Sequence, residues 1–132
     1  MQNKKILAID YGTKRIGIAI SKASLAEPLT VLTNNEKIFE QIRDICVREQ
    51  IDLIVLGISE NKMAEKTRAF AKKLEQKLSA ANLKIHLKFF DETLSSQTAR
   101  KKLLAAKAKK SKRQAAIDHY AAALILEGWM EG

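Results

Sequence analysis

The run from Ile6 to Ser21, ILAIDYGTKRIGIAIS, constrains the fold more than any other stretch of this chain. Its first half is an apolar segment of strand length that closes on a carboxylate, Asp10, and its second half, Arg15 to Ser21, is another apolar segment rich in isoleucine. Two such runs around the short turn Tyr11-Gly12-Thr13 predict a β-hairpin, with Gly12 free to take a positive φ where a Cβ would clash. One acid is thereby fixed at a strand tip. Two roles are open to Asp10 at this point: a carboxylate presented to a metal ion or a phosphate, or a turn opener that bonds its own backbone.

The segments that follow supply a sheet for this hairpin to join. Leu25 to Thr33 holds the single proline of the chain, Pro28, and reads as a third strand at a sheet edge, where a missing N–H is tolerated. From Glu36 to Gln50 the apolar residues Ile38, Phe39, Ile42, Ile45 and Cys46 follow helical spacing. Asp52 to Ile58, DLIVLGI, is almost uninterrupted, as a central strand covered on both faces requires. A second amphipathic helix over Lys62 to Ser79 carries Phe70, Ala71, Leu74 and Leu78 on one stripe. In Leu83 to Phe90, Ile85, Leu87 and Phe89 alternate with His86, Lys88 and Phe90, which predicts a strand with one wetter face, ending on Asp91-Glu92. Ser95 to Ala106 resumes helical character with the hydroxyls of Thr93, Ser95 and Ser96 to cap it. A closing helix over Gln114 to Met130 then turns Ile117, Ala121, Leu124, Ile125 and Gly128 to one side. The sum is a mixed α/β fold with five strands.

A chain of 132 residues is long enough for one core and too short for two ordinary domains, so residues 1–132 are expected to form a single domain. The 24 basic residues outnumber the 15 acidic ones, for a net charge of +9, and such an excess favours a polyanionic partner. Much of it is concentrated in RKKLLAAKAKKSKR, where Arg100, Lys101, Lys102, Lys107, Lys109, Lys110, Lys112 and Arg113 crowd together. This tract is either a solubilising loop or a set of phosphate contacts. The lone cysteine, Cys46, sits at an apolar helical position, which excludes a disulfide framework and a metal–thiolate cluster and fits a reducing cytoplasm. The opening apolar run soon meets Asp10 and is neither a signal peptide nor a membrane span.

Three acids fall at element ends: Asp10 after the first strand, Glu92 after the last, and Asp118 in the early turns of the closing helix. Parallel strands beside the first would bring their carboxyl ends together, where open α/β sheets bind ligands. A set of hard oxygen donors without cysteine suits Mg²⁺ or Mn²⁺, ions that promote hydrolysis at phosphate esters. Each acid also has an ordinary structural role open to it, as turn former, solvated loop residue or helix-start residue. Their joint placement is what favours a site. Asp118 adds a condition of its own, because a carboxylate just off a buried stripe is costly unless a cation or donor meets it.

With these residues set out, the chain resembles the YqgF family, also called RuvX, of RNase H-like nucleases. Asp10-Tyr11-Gly12-Thr13-Lys14-Arg15-Ile16-Gly17-Ile18-Ala19 is similar to the family's opening motif, Asp91-Glu92-Thr93-Leu94-Ser95 to its Asp-Glu-Arg-Leu-Ser/Thr, and Asp118-His119-Tyr120-Ala121-Ala122-Ala123-Leu124-Ile125-Leu126 to its Asp-x-x-Ala-Ala-x-x-Ile-Leu. The resemblance spans nearly the whole chain in order. It implies a five-stranded RNase H-like mixed sheet of order 3-2-1-4-5 with helices on both faces. It also implies a metal-dependent endonuclease in which Asp10, Glu92 and Asp118 are the catalytic, metal-binding acids and Asp91 is an auxiliary candidate. Members of that family have been viewed as Holliday-junction resolvases and as nucleases maturing the small-subunit ribosomal RNA precursor.

Two departures stand out. Gly57-Ile58-Ser59-Glu60-Asn61-Lys62-Met63 replaces the family's Gly-Leu-Pro and later Asp-Gly, with Glu60 as an added acid, and Thr93 replaces the Arg after Asp-Glu, so a cation that could steady a phosphate is lost. The expectation is a cytoplasmic, Mg²⁺- or Mn²⁺-dependent nuclease on ribosomal RNA precursor or branched DNA, not on a membrane, working as a monomer or weak homodimer. Lys14, Arg15, Arg100, Lys101, Lys109, Lys110, Lys112 and Arg113 would contact nucleic acid. The alternative is an RNase H-like binding module with little catalysis. A third reading, a phosphotransferase of the sugar-kinase or actin type, needs two such domains around its nucleotide.

Overall fold

The computed structural model describes residues 4–59, 61–92 and 113–132. Within them lie β1 (Ile6–Tyr11), β2 (Arg15–Lys22), β3 (Leu25–Thr33), α1 (Ile38–Glu49), β4 (Leu53–Ile58), α2 (Ala64–Ala80), β5 (His86–Asp91) and α3 (Arg113–Glu131). The expected helix over Ser95 to Ala106, its capping hydroxyls, Glu60 and the basic positions Arg100 to Lys112 lie outside the described residues. The strands form one sheet of order β3-β2-β1-β4-β5. β1 is antiparallel to β2, and β2 to β3, whereas β1–β4 and β4–β5 are parallel. This is the mixed RNase H-like sheet, and it sets the carboxyl ends of β1, β4 and β5 side by side.

Side chains alternate across each strand, and the two faces were given different work by the sequence. Leu7, Ile9, Ile16, Ile18, Ile54 and Leu56 point to the side where α1 and α2 deliver Ile38, Ile42, Phe70 and Leu74, making the larger core. The opposite face carries the small Ala8 and Ala19 with Val55, and these let α3 settle close through Ala122, Ala123, Ile125 and Leu126. β4 is buried along its whole length, as a central strand between two helical layers must be. Each fully buried Leu or Ile of these layers contributes about 1.5–3 kcal/mol by leaving water.

Three expectations are corrected. Gly12 does not have a positive φ; it is required because a Cβ there would stand 2.6 Å from the carbonyl oxygen of Arg15, so tightly does the turn fold on itself. The positive-φ positions are instead Ala23, Gln50 and Asn82, with Gln50 closing α1 in the left-handed conformation. On α3 the buried residues are Ala121, Ala122, Ala123, Ile125, Leu126 and, as expected, Gly128, while Ile117 and Leu124 are half-buried. A three-residue apolar run that small can face the sheet across more than one stripe, which periodicity alone does not reveal. The alternation inferred for the last strand holds for Ile85 and Leu87 against Lys88 and fails only at its end, where Phe89 is 43% exposed and Phe90 is the ring packed against the α3 layer. An edge strand is covered by whichever helix reaches it, and there α3 does. His86 does lie exposed.

Candidate active site

Asp10 is the fifth residue of β1 and pairs across the hairpin with Gly17. Being two residues on from Ala8, it points to the α3 face of the sheet. Glu92 follows β5, and its N–H donates to the carbonyl of Ile58 at 2.8 Å, so the strand pairing carries this acid one step past the sheet rim. The two acids, distant in sequence, line one cavity of about 180 Å³ with Tyr11, Gly57, Ser59, Asn61 and Thr67. The sheet order, which the family resemblance implied, is what brings them together.

Two glycines make the space. At Gly57 an added Cβ would lie 2.7 Å from Glu92 Oε2 and 2.4 Å from Ile125 Cδ1, so the acid and a core isoleucine of α3 share the room of one missing methyl group. At Gly17 an added Cβ would lie 3.0 Å from the carbonyl oxygen of Asp118 and 3.5 Å from Asp10 Cβ. The backbone of α3 at Asp118 therefore approaches the sheet directly beside Asp10.

The Asp118 carboxylate takes a different direction. Its Oδ2 accepts a hydrogen bond from Arg15 Nε at 2.6 Å, and it is not among the groups lining the cavity of Asp10 and Glu92. The cation that sequence reasoning required for this acid is thus Arg15, at the other end of the chain. Among the described residues no three acidic, histidine or cysteine side chains converge on one point. Asp91, the auxiliary candidate, is the exposed last residue of β5, in register with Ile58. Lys14 is exposed on the hairpin turn, and Arg113 opens α3. His119 is exposed and meets Tyr120 edge to face at 4.5 Å, a surface position.

Sequence reasoning missed the supports of this site. The β4–α2 loop is closed by Asn61, whose Nδ2 donates to Ser59 Oγ at 2.8 Å while its Oδ1 accepts the Met63 N–H at 2.8 Å. Ser59 and Met63 are thereby tied to Asn61, and an Asn three positions before a helical run was the available signal. The hairpin turn is tied from outside as well: Asn34 Nδ2 donates to the Gly12 carbonyl at 3.0 Å and its N–H to the Lys14 carbonyl at 2.9 Å. Tyr11 leans on Phe70 with ring centroids 4.9 Å apart, which fixes the wall next to Asp10.

A β3-β2-β1-β4-β5 mixed sheet with helices on both faces is an RNase H-like fold. The chain superposes on the Thermus thermophilus RuvC protein solved in complex with a Holliday junction substrate with a TM-score of 0.59 and 12% sequence identity, over 98% of this chain and 96% of that one. Residues 4–132 match the family model described as "RuvX: Holliday junction resolvase", and the chain belongs to that family. Among curated relatives it is 36% identical to a protein of Malacoplasma penetrans over 97% of this chain and 94% of that one. It is 37% identical to one of Maridesulfovibrio salexigens over 96% and 97%. Both of these bear the name "Putative pre-16S rRNA nuclease".

Proposed function

We propose that this chain is a cytoplasmic, single-domain, Mg²⁺- or Mn²⁺-dependent endonuclease that acts on structured nucleic acid, with ribosomal RNA precursor as its favoured substrate and branched DNA as the second. As a member of its family the chain is a nuclease, an enzyme that hydrolyses phosphodiester bonds. The observation that carries the reading is the sharing of one cavity by Asp10 and Glu92 at the carboxyl ends of β1 and β5.

The donor set fits a hard divalent ion: two carboxylates, with the Ser59 hydroxyl and the Asn61 amide on the same walls and neither cysteine nor histidine among them. Asp10 and Glu92 would hold the ion, and Asp118, whose backbone lies beside Asp10, would complete the set. When bound, the ion supplies positive charge against the reacting phosphate and polarises the attacking water. Lys14 and Arg15 stand exposed on the turn and strand next to Asp10, where they meet the phosphates flanking the scissile one. The basic tract Arg100, Lys101, Lys109, Lys110, Lys112 and Arg113 adds contacts that position a backbone without reading its sequence. A buried cysteine with no disulfide partner suits a reducing compartment. Among the described residues no helix is long and apolar enough to cross a membrane.

The test is cleavage of ribosomal precursor RNA and of four-way DNA junctions, side by side, with and without Mn²⁺, by wild type and Asp10→Asn. Metal-dependent cutting by the wild type alone, with binding retained in the variant, is the expected result. Binding by both proteins with no cutting by either would return the chain to the binding-module reading. Cutting at the wild-type rate by Asp10→Asn would remove Asp10 from the site.

A further inference from the structure

The ion pair between Arg15 and Asp118 joins the start of β2 to the first turns of α3, across 103 positions of sequence, at 2.6 Å. Its two members are not equally placed. The side chain of Asp118 is only 18% exposed, whereas that of Arg15 is 47% exposed. A carboxylate so far removed from water is held in its charged form at a cost unless a cation faces it. The guanidinium, nearly half exposed, can leave for solvent cheaply, and it carries five N–H donors in a planar fork.

The backbone of the same Asp118 lies at the point that also touches Asp10, through the gap left by Gly17. Asp118 is thus within reach of the acid cavity by its main chain while its carboxylate is committed to Arg15. We infer that Arg15 is a positioning residue that competes with the divalent cation for the Asp118 carboxylate, so that a nucleic-acid phosphate drawing Arg15 away completes the metal site. This inference rests on the metal-site reading given above. Arginine suits the exchange, because its planar fork pairs equally well with a carboxylate and with a phosphate. If the two ligands are linked in this way, each must raise the affinity for the other by the same factor.

The experiment measures Mn²⁺ affinity by calorimetry for wild type and Arg15→Gln without nucleic acid. It also measures the affinity of both for a phosphorothioate duplex, by fluorescence anisotropy, with and without Mn²⁺. Removing the competing cation should tighten Mn²⁺ binding about two- to fivefold, the scale of a half-exposed ion pair. Mn²⁺ should strengthen duplex binding by wild type more than by Arg15→Gln, by a similar factor. A purely structural role for Arg15 would leave the variant's Mn²⁺ affinity equal or weaker, and that result overturns the inference. Arg15→Met keeps the apolar stem and is read in the same way should Arg15→Gln fold poorly. A wild type that binds no Mn²⁺ at all refutes the metal-site reading itself, and the competition with it, whereas Mn²⁺ binding that is indifferent to position 15 refutes the competition alone.

Discussion

Gly57→Ala is the substitution that most directly probes how the site is built. The added methyl would stand 2.4 Å from Ile125 Cδ1, 2.7 Å from Ile125 Cγ1 and 2.7 Å from Glu92 Oε2, all distances at which something must move. Ile125 is fully buried between α3 and the sheet and has little room to turn, so the variant is overpacked. Overpacking of this kind costs about 2 kcal/mol, which for a chain of this length lowers Tm by about 7 °C. Glu92, half-exposed at the rim, yields more readily, and its displacement should weaken Mn²⁺ binding beyond what the fold suffers. The assay is a thermal melt of Gly57→Ala, Ile125→Val and the double variant, each with and without Mn²⁺. Ile125→Val deletes the Cδ1 atom nearest the new methyl, so the double variant should recover about 1 kcal/mol relative to the sum of the singles. A Gly57→Ala protein that melts with the wild type, or a strictly additive double variant, would refute the claim that Glu92 and Ile125 share that space.

Asp118→Asn should shrink the Tm increase that Mn²⁺ gives, while the metal-free protein melts only about 1 to 3 °C lower because Arg15 loses a partly exposed ion pair; equal Mn²⁺ shifts in both proteins would leave Asp118 as a helix residue. Neutralising Lys109, Lys110 and Lys112 together should weaken nucleic-acid binding whatever the sequence and lower the salt slope by up to about three contacts; an unchanged slope would return the tract to a solubilising role. Burial pushes the Cys46 thiol up from 9.0 to about 12, so the folded state keeps a proton that the unfolded state releases. Its stabilising effect is whole below pH 9 and is lost as pH rises toward 12, at up to about 1.4 kcal/mol per unit. Cys46→Ala should flatten that alkaline decline in urea titrations, and an identical decline in the variant would contradict the burial argument.

The five strands were legible because each apolar run has a distinct character. The hairpin at Ile6 to Ser21, the proline in β3 and the unbroken DLIVLGI mark these strands, β3 begins and ends where its sequence says, and their order was what the family resemblance implied. The convergence of Asp10 with Glu92 followed from that order. The direction of the Asp118 carboxylate did not follow, since it depends on a rotamer and on a guanidinium more than a hundred residues away. Nor did the run Ala121-Ala122-Ala123, where residues that small pack on either side of a stripe and leave periodicity little to detect. The need for Gly12 was legible and its reason was not: a carbonyl oxygen, and no special dihedral angle, excludes the side chain.

The two hydrogen bonds from Asn34 to the hairpin turn bear on how this enzyme opens and closes. Asn34 follows the last residue of β3, the outermost strand on its side of the sheet, yet it grips the carbonyls of Gly12 and Lys14 between Asp10 and Arg15. Edge strands fray first, in local openings far cheaper than global unfolding. Each such excursion of β3 must release the turn that joins Asp10 to Arg15, so the periphery of the sheet sets the rigidity of its centre. Amide exchange at the turn and at the end of β3 would then proceed as one cooperative unit, and a partner that pairs with the free edge of β3 would stiffen the reacting end of the molecule without touching it.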